Sequence, residues 1–150
     1  MDWSQAAKLA LEEHRKLNRE VDILRLRLNT PSQESRLRWM TQCVAHFNHF
    51  QELLLTHMEM EEDGGFMPIV RERRPTLEQR VNALESEHGT IRKACSELQD
   101  FFETCTDPTT EDIQQVRRMT GALLDTLRDH ENEENKLIQD VLIQDIGTGD

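Results

Sequence analysis

Twice in this chain a solitary histidine is followed, 42 or 43 residues later, by a histidine with a glutamate four positions beyond it. The first phrase is His14 with His57 and Glu61; the second is His88 with His130 and Glu134. Residues four apart on a helix share one face and sit about one turn from each other, so both members of a His-xxx-Glu pair can reach one ion. A fold that uses both phrases together must bring four segments side by side with these positions at one level. That requirement points to a bundle of helices around a two-metal centre.

The sequence around these residues supplies such helices. Ala7, Ala10, His14, Leu17, Val21, Leu24 and Leu28 recur in steps of three and four, the spacing of a single apolar stripe on a helix that begins after Asp2 or Ser4. Asn29-Thr30-Pro31-Ser32 breaks it. A second stripe from about Gln33 carries Met40, Cys43, Phe47, Phe50, Leu54, His57 and Glu61, and Asp63-Gly64-Gly65 stops it. A short segment, Phe66 to Val70, leads into a basic turn from Arg71 to Pro75. Thr76 with Gln79 three positions on reads as a capping box for a third helix with Leu77, Val81, Leu84, His88, Ile91, Cys95, Leu98 and Phe102. Asp107-Pro108 marks a turn, with the proline near the first position of a fourth helix. That helix carries Ile113, Val116, Thr120, Leu123, Leu127, His130, Glu134, Leu137 and Val141.

Four amphipathic helices with short links predict an all-α, up-down-up-down four-helix bundle spanning residues 1–143, with 144–150 as a flexible tail. The turns test the histidine level independently, because paired positions in antiparallel neighbours are equidistant from the turn between them. The midpoint of His88 and His130 is position 109, in the Asp107-Pro108-Thr109 turn. That of His57 and His88 falls between 72 and 73, inside the basic turn, and that of His14 and His57 falls just past Pro31-Ser32. All four histidines therefore come to about one level.

Imidazole nitrogen with carboxylate oxygen suits iron, manganese or zinc, and no thiolate enters the pattern. A lone histidine on an apolar stripe is usually a hydrogen-bonded core residue, and one His-xxx-Glu pair is weak evidence by itself. Jointly, the bland reading needs four unrelated buried histidines at one level and two glutamates intruding on the seams, each with its own partner. Two adjacent buried carboxylates repel, so cation binding should relieve that cost and stabilise the fold.

Other residues read more plainly. His46 lies in nearly the same helical direction as His57 but about 16 Å away along the axis, and reads as structural or partly exposed; His49 points outward. Glu59, Glu62, Glu131 and Glu133 form a solvated acidic face, with Glu62 and Glu133 able to act behind the ligands. Met58 and Met60 are packing residues that could line a gas pocket beside Glu61. Cys43 and Cys95 sit on seams, and Cys105, near a helix end, is the more reactive thiol. Three cysteines without a CxxC pair read as reduced thiols of a cytoplasmic protein. The N-terminus lacks the apolar stretch of a signal peptide, and no apolar run is long enough to span a bilayer. A net charge of −11 argues against nucleic acid and anionic membranes as partners. The absence of tyrosine excludes a tyrosyl radical. Oligomeric state is not readable.

The phrases Leu11-Glu12-Glu13-His14, His57-Met58-Glu59-Met60-Glu61-Glu62, Glu87-His88 and His130-Glu131-Asn132-Glu133-Glu134 resemble the hemerythrin-like, or HHE cation-binding, family over nearly the whole chain. The resemblance implies a non-haem di-iron centre, two iron ions joined by an oxo or hydroxo bridge when oxidised. His14 and His57 would serve one iron, His88 and His130 the other, and Glu61 and Glu134 would bridge. The oxygen-carrying members have a second histidine four residues after the third-helix one, where this chain has Arg92. They also have an aspartate five residues after the fourth-helix histidine, where this chain has Asn135. The chain thus resembles the reduced-ligand HHE branch, for which reactivity toward dioxygen, peroxide or nitric oxide is expected rather than reversible oxygen carriage. Peroxidase- or oxidase-type turnover is left open. A metal- or oxygen-responsive sensor without catalysis, and a plain zinc-holding bundle, are the competing readings.

Overall fold

The computed structural model describes residues 2–30 and 35–147, and the side chains as far as 142. It is an all-α bundle of four long helices with one short helix inserted between the second and third. Helix α1 spans Trp3–Asn29, α2 Arg36–Glu62, α3 Phe66–Arg73, α4 Glu78–Thr104 and α5 Thr110–Gly147, with a 3₁₀ turn at Pro75–Leu77. None of these helices is long and apolar enough to cross a membrane.

The caps explain several of these boundaries. Asp2 accepts from the Gln5 N–H while the Gln5 side chain accepts from the Asp2 N–H, a reciprocal pair that satisfies two free donors of the first turn. Ser35 accepts from the Arg38 N–H and opens α2, two residues later than the expected start; Pro31 to Glu34 lie outside the described residues. The expected capping box at Thr76 and Gln79 does not form: α4 begins at Glu78 after the 3₁₀ turn, and no side chain caps it. The reciprocal pair sits instead at the start of α5, where Thr109 and Asp112 each accept from the other's N–H. Pro108 precedes that cap rather than occupying the first turn. The C-terminus of α1 is closed by Arg117, which donates to the carbonyls of Leu28 and Thr30 while its guanidinium lies over the Trp39 ring. The basic turn expected from Arg71 is helical as far as Arg73. Helix α5 continues through 144–147, where a tail was expected; positions 148–150 lie outside the described residues.

The seams read from the sequence are the buried faces. They meet in two apolar clusters separated by a polar layer. One cluster joins Leu17, Leu24, Phe47, Phe50, Leu54, Ile91, Leu98, Leu124 and Leu127 with their neighbours. The other joins Trp3, Ala6, Ala7, Ala10, Val81, Leu84, Leu137, Ile138 and Val141 with three residues of α3, namely Phe66, Met67 and Val70. The alanines of α1 leave the room that α3 fills, so the short helix plugs one end of the bundle. Its approach depends on two glycines. Gly64 takes φ +100°, a left-handed conformation that ends α2. At Gly65 an added Cβ would collide with the Met60 carbonyl and the Glu61 backbone. The plug is thereby tied directly to the turn of α2 that carries Glu61.

Candidate metal centre

Between the two apolar clusters each long helix places its seam polar residue at one level. His14 follows Ala10 on α1, His57 follows Leu54 on α2, His88 lies between Leu84 and Ile91 on α4, and His130 lies between Leu127 and Leu137 on α5. All four imidazoles are at most 4% exposed, Glu61 is 4% exposed, and Glu134 is fully buried. The rings of His14 and His57 stand 5.0 Å apart, and those of His88 and His130 4.8 Å apart. The level inferred from the turn midpoints is the level observed.

Every Nε2 lies near one or both of the two carboxylates. His14 lies 3.3 Å from Glu61 and 3.2 Å from Glu134. His57 lies 3.2 Å from Glu61, and His130 3.2 Å from Glu134. His88 lies 3.3 Å from Glu61 and 3.7 Å from Glu134. Two four-residue groups result, each with its ligand atoms within 4.8 Å of one another: His14, His57, Glu61 and Glu134, and Glu61, His88, His130 and Glu134. Both carboxylates belong to both groups.

Whether cations fit can be judged from these atoms. Nε2 of His57, His88 and His130, Oε1 of Glu61 and both oxygens of Glu134 are buried without a hydrogen-bond partner. Leaving so many polar atoms unsatisfied in one place is costly unless something else binds them. Two donors each about 2.1 Å from a shared ion, and separated by 90–110° around it, lie about 3.0–3.4 Å apart. Most of the observed separations fall in that interval. The donor set therefore fits a pair of cations that prefer nitrogen and oxygen.

The outer nitrogens hold the rings in place. His14 Nδ1 meets Asn135 Oδ1 at 2.7 Å, His88 Nδ1 meets Glu62 Oε1 at 2.8 Å, and His130 Nδ1 meets Glu87 Oε1 at 3.1 Å. Each contact has Nδ1–H donating to the oxygen, which leaves the Nε2 lone pair directed inward. Glu62 is itself clamped by Arg92, 2.9 Å away. Burial works to raise the Glu62 carboxyl, but hydrogen bonds from Arg92 and His88 outweigh it and hold the group below its ordinary value. His57 differs: its Nδ1 is buried with no partner among the described residues. A cavity of about 160 Å³ reaches the same corner, lined by Ala6, Leu9, Ala10, Met60 and Phe66 together with His57 and Glu61.

In the metal-free state the cluster is a set of close imidazole–carboxylate approaches, of which His14 to Glu61 alone, among the described residues, is a hydrogen bond. Burial acts to lower His14, but the carboxylates of Glu134 and Glu61 beside it prevail and raise it to about 11. The same opposition raises His88 to about 10, and raises His130 through Glu134. For Glu61, burial and the charge of Glu134 push upward, yet contacts with three histidines bring it below the ordinary value. Glu134 goes lower still, because the close imidazoles of His130, His14 and His88 outweigh its burial.

The six residues read from the sequence come together as expected. Several flanking expectations need correction. Glu131, expected on a solvated face, is 3% exposed, and burial pushes its carboxyl up to about 7. Glu133 faces solvent and pairs with Lys136 rather than standing behind a histidine. Glu62 does stand there, as allowed, while Glu87 and Asn135 do so unanticipated; only Asn135's place one residue after Glu134 hinted at it. Met58 is buried packing, and Met60, 42% exposed, edges the cavity. Cys105, expected to be the more reactive thiol, is buried and donates to the Phe101 carbonyl. Burial raises all three thiols, Cys43 to about 12 and Cys95 to about 11. His46 is half-buried and His49 is exposed near Glu20; neither joins the centre.

Comparison with known proteins gives one finding. The family model described as the hemerythrin HHE cation binding domain matches residues 6–142. No curated protein and no solved structure matches the chain.

Proposed function

From the premise that this chain belongs to the hemerythrin HHE cation-binding domain family, we propose that it is a di-iron protein that binds or reacts with a small oxidant: dioxygen, hydrogen peroxide or nitric oxide. His14 and His57 would serve one cation, His88 and His130 the other, with Glu61 and Glu134 shared between them. The observation that carries this reading is the pair of overlapping buried groups whose inward atoms lack any other partner. Iron, when bound, would supply Lewis acidity and an electron source for the oxidant. Manganese or zinc would use the same donors.

The chain's own residues set the conditions for that chemistry. Asn135, Glu62 and Glu87 hold three imidazoles in the tautomer that presents Nε2. Glu61 and Glu134 offset cationic charge in a layer closed above and below by apolar side chains. Those clusters keep bulk water from the centre and strengthen every electrostatic contact inside it. The cavity beside His57 and Glu61 is small and mostly apolar in its lining, which suits a diatomic or triatomic molecule better than an organic substrate.

Elemental analysis with an optical spectrum, on protein from iron-replete cells, tests the reading. Close to two irons per chain, with near-ultraviolet charge-transfer bands that bleach on reduction, is the expected result. A folded protein carrying no iron, or only zinc, ends it. Peroxide turnover then separates an enzyme from a sensor whose partner reads the metal-dependent fold.

A further inference from the structure

Among the buried charged residues, Glu131 is the one that belongs to neither four-residue group. Its place on α5 is a seam place: seven residues before it stands Leu124 and seven after it Ile138, both fully buried. A leucine or isoleucine would continue that apolar row. A carboxyl group stands there instead, with Oε1 buried and without any hydrogen-bond partner. Burying a polar atom unsatisfied works against the fold, so its presence calls for a compensating partner.

Position says what that partner is. Successive residues on a helix rise by only about 1.5 Å, so Glu131 is level with His130 and hence with the cluster. Its neighbour one turn on, Asn135, bonds His14 across the α1–α5 contact. Glu131 therefore lies on the side of α5 turned toward α1. Nothing comparable adjoins the other half: Glu62 and Glu87, the carboxylates near His88 and His130, are engaged by those rings' outer nitrogens.

We propose that Glu131 is a seventh protein ligand, specific to the cation held by His14 and His57. The inference rests on the two-cation reading above. Each group supplies four side chains, and cations of the iron or manganese type accept more donors than that. A carboxylate turning in from α5 gives one cation a fifth side chain and leaves the other with four. The two ions then differ in affinity even though the two histidine–glutamate phrases match.

Cobalt(II) titration of the metal-free protein, followed by calorimetry and visible absorption, tests this without any turnover assay. Wild-type protein should take up two cobalt ions in unequal steps. Glu131→Gln, which keeps the shape, and Glu131→Leu, which restores the apolar row, should both weaken the tighter step by about tenfold or more. The weaker step should stay as it was, and the visible bands should intensify as the coordination number falls. Thr120→Val, which removes another buried hydrogen-bonding group from the same helix, should leave both steps unchanged. If both Glu131 variants titrate within about twofold of wild type, this inference fails while the two-cation centre stands. If folded wild-type protein takes up no cobalt, the centre itself is refuted, and the seventh ligand with it.

Discussion

The two histidine–glutamate phrases are near copies in sequence, yet the structure surrounds them differently. In the second, each imidazole is backed by a carboxylate: Glu62 behind His88 and Glu87 behind His130. In the first, His14 is backed by the neutral amide of Asn135, and His57 has no partner on its outer nitrogen among the described residues. A carboxylate behind an imidazole raises its basicity and locks its orientation more firmly than an amide does. The cavity is lined by His57 and Glu61 of the first phrase and by no residue of the second. Two matching sets of side chains thus stand in unlike surroundings, and the difference comes from residues outside the repeated phrase.

The largest expected effect would erase the comparison altogether. Glu61 and Glu134 belong to both groups, so Glu134→Ala should weaken uptake of both ions, by more than about 100-fold, and Glu61→Ala should do likewise. Metal analysis after gel filtration reads this directly. A variant that keeps one ion at wild-type affinity would show that the carboxylates are not shared.

Metal withdrawal comes next. Ligands that bind only the folded state stabilise it by about 4 kcal/mol at a thousandfold excess over Kd. For a chain of this length that corresponds to a rise in Tm of roughly 10 °C or more per ion. Chelation should reverse it, and equal melting of loaded and stripped protein would contradict a centre that ties four helices together.

Smaller effects sharpen the contrast between halves. Glu62→Gln and Glu87→Gln should each loosen one binding step by about 10-fold, with Glu62 the stronger because Arg92 fixes it and it is less exposed. Asn135→Ala should affect the opposite step, and less. Calorimetric titration of the three variants would show whether each acts on its own half; effects spread evenly over both steps would contradict the assignment.

The smallest effect is on pH. In metal-free protein the lowered Glu61 and Glu134 contribute stability that is complete above about 4.5 and lost as pH falls. The raised His14 and His88 contribute stability that is complete below about 6.5 and lost as pH rises toward 10 and 11. Glu131, raised from 4.5 to about 7, adds a cost that grows with pH between those values. Stripped protein should therefore melt highest between about pH 4.5 and 6.5 and at progressively lower temperature toward pH 8. Loaded protein should shift the other way, because binding must displace protons from the imidazoles. Melting curves of both forms from pH 5 to 8 would reveal the crossing trends.

Much of this molecule was legible in the sequence. The stripes on α1, α2, α4 and α5 are the buried faces almost residue for residue, because the 3.6-residue period leaves an amphipathic helix only one apolar side. The common level of His14, His57, His88 and His130 followed from the turns, because antiparallel neighbours must count equally from the link between them. The short helix α3 was missed: eight residues with a proline give too little period to recognise, and its burial depends on room left by the distant Ala6, Ala7 and Ala10.

What only the tertiary structure decided is the company each buried histidine keeps. Glu62, Glu87, Glu131 and Glu133 are alike as letters beside a seam, yet one braces His88, one braces His130, one is buried against the His14 side and one faces solvent. A residue at the flank of a stripe meets either water or a neighbouring helix according to how far each helix is rotated and how closely the next one packs. Sequence period determines the centre of a helix face; the borders of that face are settled by contact between helices, and here the borders make the two halves of the centre unlike.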